Sequence, residues 1–208
     1  GKAEAIKEAA REARFGFLRR HAHTLYDRLT DGRRKFVRVE RLVYDAADCV
    51  PGLVPTRTEV EAESALRQSE KEGREVDQGI LCNQFLADPE CGMHLCHAML
   101  LPREESAEAL AKFLRDGRLD LGTAKVERQG KAAVLLLSNP RFLNSEDLST
   151  QAATEIGADV CTLDPNSEVA VLRGDVVPTG KYAGRRVYNS GINLTHLYHG
   201  RIPYLWFM

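Results

Sequence analysis

Val134–Leu148 reads VLLLSNPRFLNSEDL, and further along Tyr188–Leu194 reads YNSGINL. Each stretch carries a short apolar run into a tight turn, Asn139-Pro140 in the first and Ser190-Gly191 in the second, and then toward a helix. A strand that feeds a turn and a helix start presents backbone N–H groups to an anion. The pair therefore predicts an α/β core with an anion-facing turn.

Working outward, Leu121–Arg128 alternates, Gln129-Gly130 turns, and Ala132–Leu137 is continuously apolar. That pattern predicts a hairpin whose second strand is buried on both faces. Ser145 is placed to cap a helix running from Glu146 to Gly157, and Val169–Arg173 reads as another short buried strand. A loop rich in Gly and Pro follows from Gly174 to Arg186, then a strand at Val187–Tyr188, the Ser190-Gly191 turn and a helix from Asn193.

Residues before Gly117 follow helical periodicity instead. Phe15, Leu18, Leu25 and Leu29 recur along a helix from Ala3 to Leu29, and Asp31-Gly32 ends it. Phe36, Val39, Leu42 and Val43 form the stripe of a second helix that ends before Pro51-Gly52. Thr58-Glu59-Val60-Glu61 has the capping-box pattern and starts a charged helix to Gly73. Val76–Leu86 and Glu90–Leu100 read as buried helices parted by Asp88-Pro89. Pro102 opens a last helix, with Leu110, Phe113 and Leu114 inward and Gly117 as its stop. The domains expected are an all-α N-terminal domain over residues 1–119 and an α/β core over 120–208.

Of the 208 residues, 29 are Lys or Arg and 30 Asp or Glu, a net charge of −1 that gives no general electrostatic case for nucleic acid or an anionic membrane. No apolar run reaches membrane-spanning length, and the charged, helix-forming start reads as no signal peptide. Five cysteines without framework spacing fit free thiols in a cytoplasmic protein. The last seven residues, Ile202–Met208, are apolar and aromatic with no closing cap. Such a run rarely faces water, so the expectation is a chain cut from a longer one, with this run packing against sequence beyond Met208.

Several constellations compete for chemistry. Cys91, His94, Cys96 and His97 match no zinc spacing, and on one helix they diverge too far to share an ion. No Walker A loop, Rossmann glycine fingerprint or base-paired cysteine is present. Lys181, Arg185 and Arg186 either meet a diphosphate or 3′-phosphate or form a solvated loop. Glu146 at a helix start is either a dipole-favoured surface carboxylate or one aimed into a pocket. His196 and His199, one turn apart beyond Gly191, stand near a site or at a subunit contact.

Taken in order, VLLLSNPRFLNSEDL, then Val169–Gly174 (VAVLRG), then Ser190–Leu194 (SGINL) resemble the motifs of the crotonase (enoyl-CoA hydratase/isomerase) superfamily. Ser and Asn stand where its Ala-Gly-x-Asp-Leu turn has Ala and Asp. With the helical extension, the chain resembles a branch of that superfamily, the cofactor-independent dioxygenases of glycopeptide-antibiotic biosynthesis, which act on aryl-acetyl-CoA thioesters. The resemblance implies a crotonase-like fold of ββα units, truncated before its C-terminal part. It implies O₂ as co-substrate, no metal and no flavin, and a homo-oligomer, either a trimer or a dimer of trimers. Carried over by position, the Ile192 N–H beyond Gly191 is an oxyanion-hole donor. Arg141, Phe142 and Leu143 meet coenzyme A, Ser190 and Leu194 border the adenine region, Asn193 is a further substrate-binding residue, Glu146 holds the aryl ring, and Thr179, Gly180, Lys181 and Tyr182 add ligand contacts. The second oxyanion donor would lie beyond Met208, so these residues alone carry half a site. The alternatives are an enoyl-CoA hydratase or isomerase, and a non-catalytic helical interaction module with a decayed crotonase core.

Overall fold

The computed structural model describes residues 1–208, and the side chain of Ala3 lies outside that description. The chain folds as two compact units, Gly1–Leu101 with Tyr198–Met208, and Pro102–Leu197.

The first unit is helical: α1 (Lys2–Leu29), α2 (Val39–Cys49), α3 (Arg57–Ser64), α4 (Glu75–Ala87) and α5 (Pro89–Leu100). Its core buries Leu18, Leu25, Leu42 and Val43 of the periodic stripes together with Tyr26, Leu81 and Phe85, whereas Phe15 and Phe36 of those stripes are exposed. A fully buried side chain of this size contributes about 2 kcal/mol. α1 stops where Asp31, Gly32 and Arg33 all take left-handed φ values of 54°, 64° and 62°. The capping box at α3 is Thr56 with Glu59, two residues earlier than Thr58 with Glu61. α3 ends at Ser64, well short of Gly73, because the buried Glu63 carboxylate accepts the N–H groups of Glu72 and Arg74 at 2.9 and 3.2 Å and folds the chain back. The run Ile202–Met208 packs partly on this unit: Ile202 is buried, and the Tyr204 ring lies against α4 so closely that a Cβ on Gly79 would sit 2.3 Å from it.

The second unit contains α6 (Ser106–Asp116), β1 (Arg118–Asp120), β2 (Ala124–Gln129), β3 (Ala132–Leu137), α7 (Leu148–Leu163), β4 (Val169–Gly174) and the short α8 (Leu194–Tyr198) at its boundary. The sheet order is β1-β2-β3-β4, with β1/β2 and β2/β3 antiparallel and β3/β4 parallel. β3 is buried on both faces, as its unbroken apolar run predicts. The unit opens at Pro102, ahead of the boundary read at residue 119, because α6 buries Ala109 and Phe113 in the sheet's core with Leu135 and Val160.

Three local readings differ from the structure. β1, too short for a periodic signal, goes unmarked in the sequence. β4 is an edge strand, paired among the described residues with β3 alone, and its Val169, Val171 and Leu172 are open to solvent. Val187–Tyr188 joins no ladder. The isolated bridge Val176↔Arg186 closes the preceding loop into a small hairpin. No helix is long and apolar enough to cross a membrane among the described residues.

Candidate functional site

After β3 the chain makes a short 3-10 turn at Pro140–Phe142, then passes through Leu143 and Asn144 at left-handed φ values of 50° and 57°. Asn tolerates this region because its short polar side chain finds local partners. Here it finds three. Asn144 Oδ1 accepts the Asn139 N–H at 2.6 Å, and Asn144 Nδ2 donates to the carbonyls of Leu137 at 2.9 Å and Val187 at 2.8 Å. Asn144 is buried, so these bonds clamp the end of β3 to the approach to the second turn.

The second clamp is backbone. Glu146 and Ile192 form an isolated parallel bridge, in which Glu146 N–H donates to the Gly191 carbonyl at 2.8 Å and Asn193 N–H donates to the Glu146 carbonyl at 2.9 Å. In parallel pairing the bonds on one side come from the residues flanking the register partner, not from that residue itself. Ile192 is that partner, and its own N–H is left without an acceptor among the described residues. Gly191, at φ +90°, makes the bend, and nothing lies within 4 Å of where its Cβ would be. The hydroxyl of Ser190 donates to the Phe142 carbonyl at 3.0 Å. The two turns that the sequence singles out are thus one structural unit.

Glu146 is not the first residue of a helix. Asp147, not Ser145, caps α7, accepting the Ser149 N–H at 2.8 Å in a capping box with Thr150. Asp147 fits the cap because it stands three residues before Thr150, whose hydroxyl accepts the Asp147 N–H in return. Its fully buried carboxylate also accepts from Asn193 Nδ2 at 2.7 Å, and His196 Nδ1 lies 2.8 Å from it. Burial works against this charge, but the hydrogen bonds from Ser149 and Asn193 and the nearby His196 hold the carboxyl below its ordinary range. Asn193 is itself buried, and its Oδ1 takes the His196 N–H at 3.2 Å. Its side chain is turned inward, holding α8 to α7.

Glu146 keeps an exposed side chain, and one of its oxygens accepts from Asn189 Nδ2. Tyr188, Ile192 and Leu194 are exposed beside it along the turn. The Phe142 ring meets the His196 imidazole edge to face at 5.2 Å, and the Arg141 guanidinium lies 5.2 Å from the Phe142 ring. Thr179–Tyr182 occupies the tip of the small hairpin, with Gly180 at φ +82° and Lys181 Nζ 5.6 Å above the Tyr182 ring. Arg186 donates to the Gly174 carbonyl at 3.2 Å. Arg141, Lys181 and Arg185 carry no salt bridge among the described residues. Exposed cations without carboxylate partners are free to meet a ligand phosphate.

His196, read from the sequence as near a site or at a subunit contact, lies against Asp147 and Phe142, whereas Asn144, Asp147 and Asn189 are residues of this unit to which sequence reasoning assigns no role. A signal existed for one of them: Asn two residues before a glycine turn commonly accepts that glycine's N–H, and Asn189 Oδ1 accepts from Gly191.

Two other clusters lie in the helical unit. His23, Asp88 and Cys91 bring possible ligand atoms within 4.8 Å of one another. Asp88 already caps α5 through the N–H groups of Glu90 and Cys91, its carboxyl held at about 2 chiefly by the Cys91 N–H. Burial pushes the Cys91 thiol up to about 12, away from the thiolate a metal would require. A groove of about 740 Å³ is lined by Lys7, Arg11, Arg14, Glu59, Arg74 and Asp77 among others. Most of its charges are paired within it, Arg14 with Asp77 at 3.1 Å and Arg74 with Glu59 at 2.7 Å.

Over 206 residues, 99% of its length, the chain is 42% identical to the (3,5-dihydroxyphenyl)acetyl-CoA 1,2-dioxygenase of Amycolatopsis orientalis. It covers 48% of that protein, so it spans about half the length of the curated relative it matches. No family model matches the chain.

Proposed function

We propose that this chain supplies the acyl-CoA-binding, N-terminal part of a crotonase-like dioxygenase that converts (3,5-dihydroxyphenyl)acetyl-CoA and O₂ to the arylglyoxylate and free coenzyme A. The observation that carries the reading is the unengaged Ile192 N–H, held at a fixed bend by the bridge to Glu146. The 42% identity to a dioxygenase of that substrate supports the reaction class.

The chemistry starts with loss of a proton from the carbon α to the thioester, which moves charge onto the carbonyl oxygen. A preorganised N–H aimed at that oxygen contributes about 3 kcal/mol to the barrier in a water-excluded site. The electron-rich aryl enolate passes an electron to O₂, and the resulting radicals combine to a peroxide at the α carbon. The peroxide adds to the thioester carbonyl, expels coenzyme A as thiolate, and the O–O bond breaks. Both oxygen atoms remain in the α-keto acid, and the two α hydrogens leave as protons. The proposal includes no metal or flavin.

In this reading Ile192 and Gly191 form half of the oxyanion hole. Arg141, Phe142 and Leu143 meet coenzyme A with Lys181 and its neighbours Thr179, Gly180 and Tyr182. Ser190 and Leu194 border the adenine, Glu146 meets a ring hydroxyl, and Asn193 sets the turn from behind. The protein works in the cytoplasm as a homo-oligomer.

The test uses the enzyme at its natural length, with chelator present. Oxygen uptake on (3,5-dihydroxyphenyl)acetyl-CoA is expected one-for-one with thiol release, without hydration of crotonyl-CoA and without flavin absorbance. Hydration without oxygen uptake points to a hydratase instead. Failure to bind coenzyme A in calorimetry points to a non-catalytic module.

A further inference from the structure

Glu146 is tied to the second turn twice over, through its backbone to Gly191 and Asn193 and through its side chain to Asn189. Asn189 uses both ends of its amide. Its Nδ2 donates to Glu146 Oε1, and its Oδ1 accepts the Gly191 N–H. A side-chain amide offers a donor and an acceptor side by side without any change of protonation. Glu146 and Ile192 are register partners, and such partners project their side chains to the same side of the pair.

We propose that Asn189 is the positioning residue that aims the Glu146 carboxylate and fixes the Gly191 peptide at the same time, so that ring recognition and oxyanion stabilisation are set by one side chain. The inference rests on the function proposed above and adds to it the origin of specificity for a hydroxylated ring. Asn189 engages one carboxylate oxygen of Glu146, and the other is left to accept from a ring hydroxyl. By taking the Gly191 N–H, Asn189 also fixes the peptide that precedes Ile192, whose own N–H has no acceptor among the described residues.

Two substitutions separate the roles. Asn189→Asp keeps the acceptor for Gly191 but sets a second carboxylate against Glu146. Asn189→Ala removes both contacts. The readout is the ratio of kcat/KM for (3,5-dihydroxyphenyl)acetyl-CoA over phenylacetyl-CoA in the enzyme at its natural length. Both variants are expected to lower that ratio about tenfold, the size of one hydrogen bond to a charged group. A role limited to folding lowers both substrates alike and leaves the ratio in place. Amide exchange of Gly191 supplies the second reading: it stays slow in Asn189→Asp and quickens about tenfold in Asn189→Ala. An unchanged ratio in both variants overturns the aiming role, and equal Gly191 exchange in all three proteins overturns the fixing role. Absence of oxygen uptake by the unsubstituted enzyme on either thioester is a different result, and it removes the proposed function itself.

Discussion

His196 Nδ1 lies 2.8 Å from the Asp147 carboxylate, so the residue that caps α7 also meets α8. Its carboxyl is held below the ordinary value of 3.8 although burial opposes the charge. A depressed folded value contributes stability above the unfolded pKa and loses it as pH falls through the folded one. The thermal midpoint should therefore drop as the solution is taken below about pH 4. Other depressed carboxyls, Asp164 and Asp175 among them, add to the same fall. The contribution of Asp147 is read as a difference: Asp147→Asn should be less stable at pH 7 by about 2 kcal/mol and should lose less than the parent on acidification. Parallel pH curves for the two proteins would contradict the assignment.

The clamp at Asn144 joins three backbone groups under a left-handed φ of 57°. Asn144→Ala removes the bonds and keeps the strain, for an expected loss of about 3 kcal/mol. Asn144→Gly removes the same bonds but relieves the strain, and should be about 1 kcal/mol more stable than the alanine variant. Urea unfolding of the two variants measures the difference, and equal stabilities would mean that the conformation carries no strain.

Two glycines at close approaches should respond to alanine to very different extents. A Cβ on Gly174 would lie 1.9 Å from the Val187 carbonyl oxygen, a backbone atom that Asn144 also holds. A Cβ on Gly157 would lie 2.5 Å from Leu135 Cδ1, the end of a flexible side chain. Gly174→Ala is expected to cost about 3 kcal/mol or more and to free the turn, whereas Gly157→Ala should cost about 1 kcal/mol as Leu135 changes rotamer. Differential scanning calorimetry should show only the first as a large fall in midpoint.

The helices and the β2–β3 hairpin were legible because each states its burial in a repeating pattern, as Leu18, Leu25 and Leu29 do along α1. The two turns were each legible as well, and the structure adds that Ser190-Gly191 packs on the Asn139–Asn144 turn. What holds them was not. Asn144 and Asn189 act through side-chain bonds to distant backbone, and no local periodicity records such a bond. The exposure of β4 was also hidden, since an apolar strand reads alike whether one of its edges or both are paired.

The five free cysteines differ in environment, and thiol labelling makes that visible. Burial pushes Cys82 and Cys91 up to about 12 and Cys161 to about 11, so the reactive thiolate is scarce at these sites near pH 8. Cys96 is exposed. One cysteine, Cys96, should label rapidly in the native protein, and the buried three only as the chain unfolds. Fast labelling of Cys82 in the absence of denaturant would show that the helical core opens more readily than its packing implies.

Gly191 offers the sharpest separation of stability from function. At φ +90° with open space around its Cβ, alanine there meets backbone strain and nothing else, about 1–2 kcal/mol. That strain is most easily relieved by rotating the peptides on either side of the residue, and one of them carries the Ile192 N–H. An amide turned away from the thioester oxygen forfeits its share of transition-state stabilisation while the contacts to coenzyme A persist. In the enzyme at its natural length, Gly191→Ala should lower kcat by about a hundredfold, the scale of one lost oxyanion donor. Coenzyme A affinity by calorimetry should change by less than about threefold, which is under 1 kcal/mol. Parallel losses in affinity and in kcat would mean that Gly191 serves the fold of the turn, and that the Ile192 amide is not aimed at the reacting oxygen.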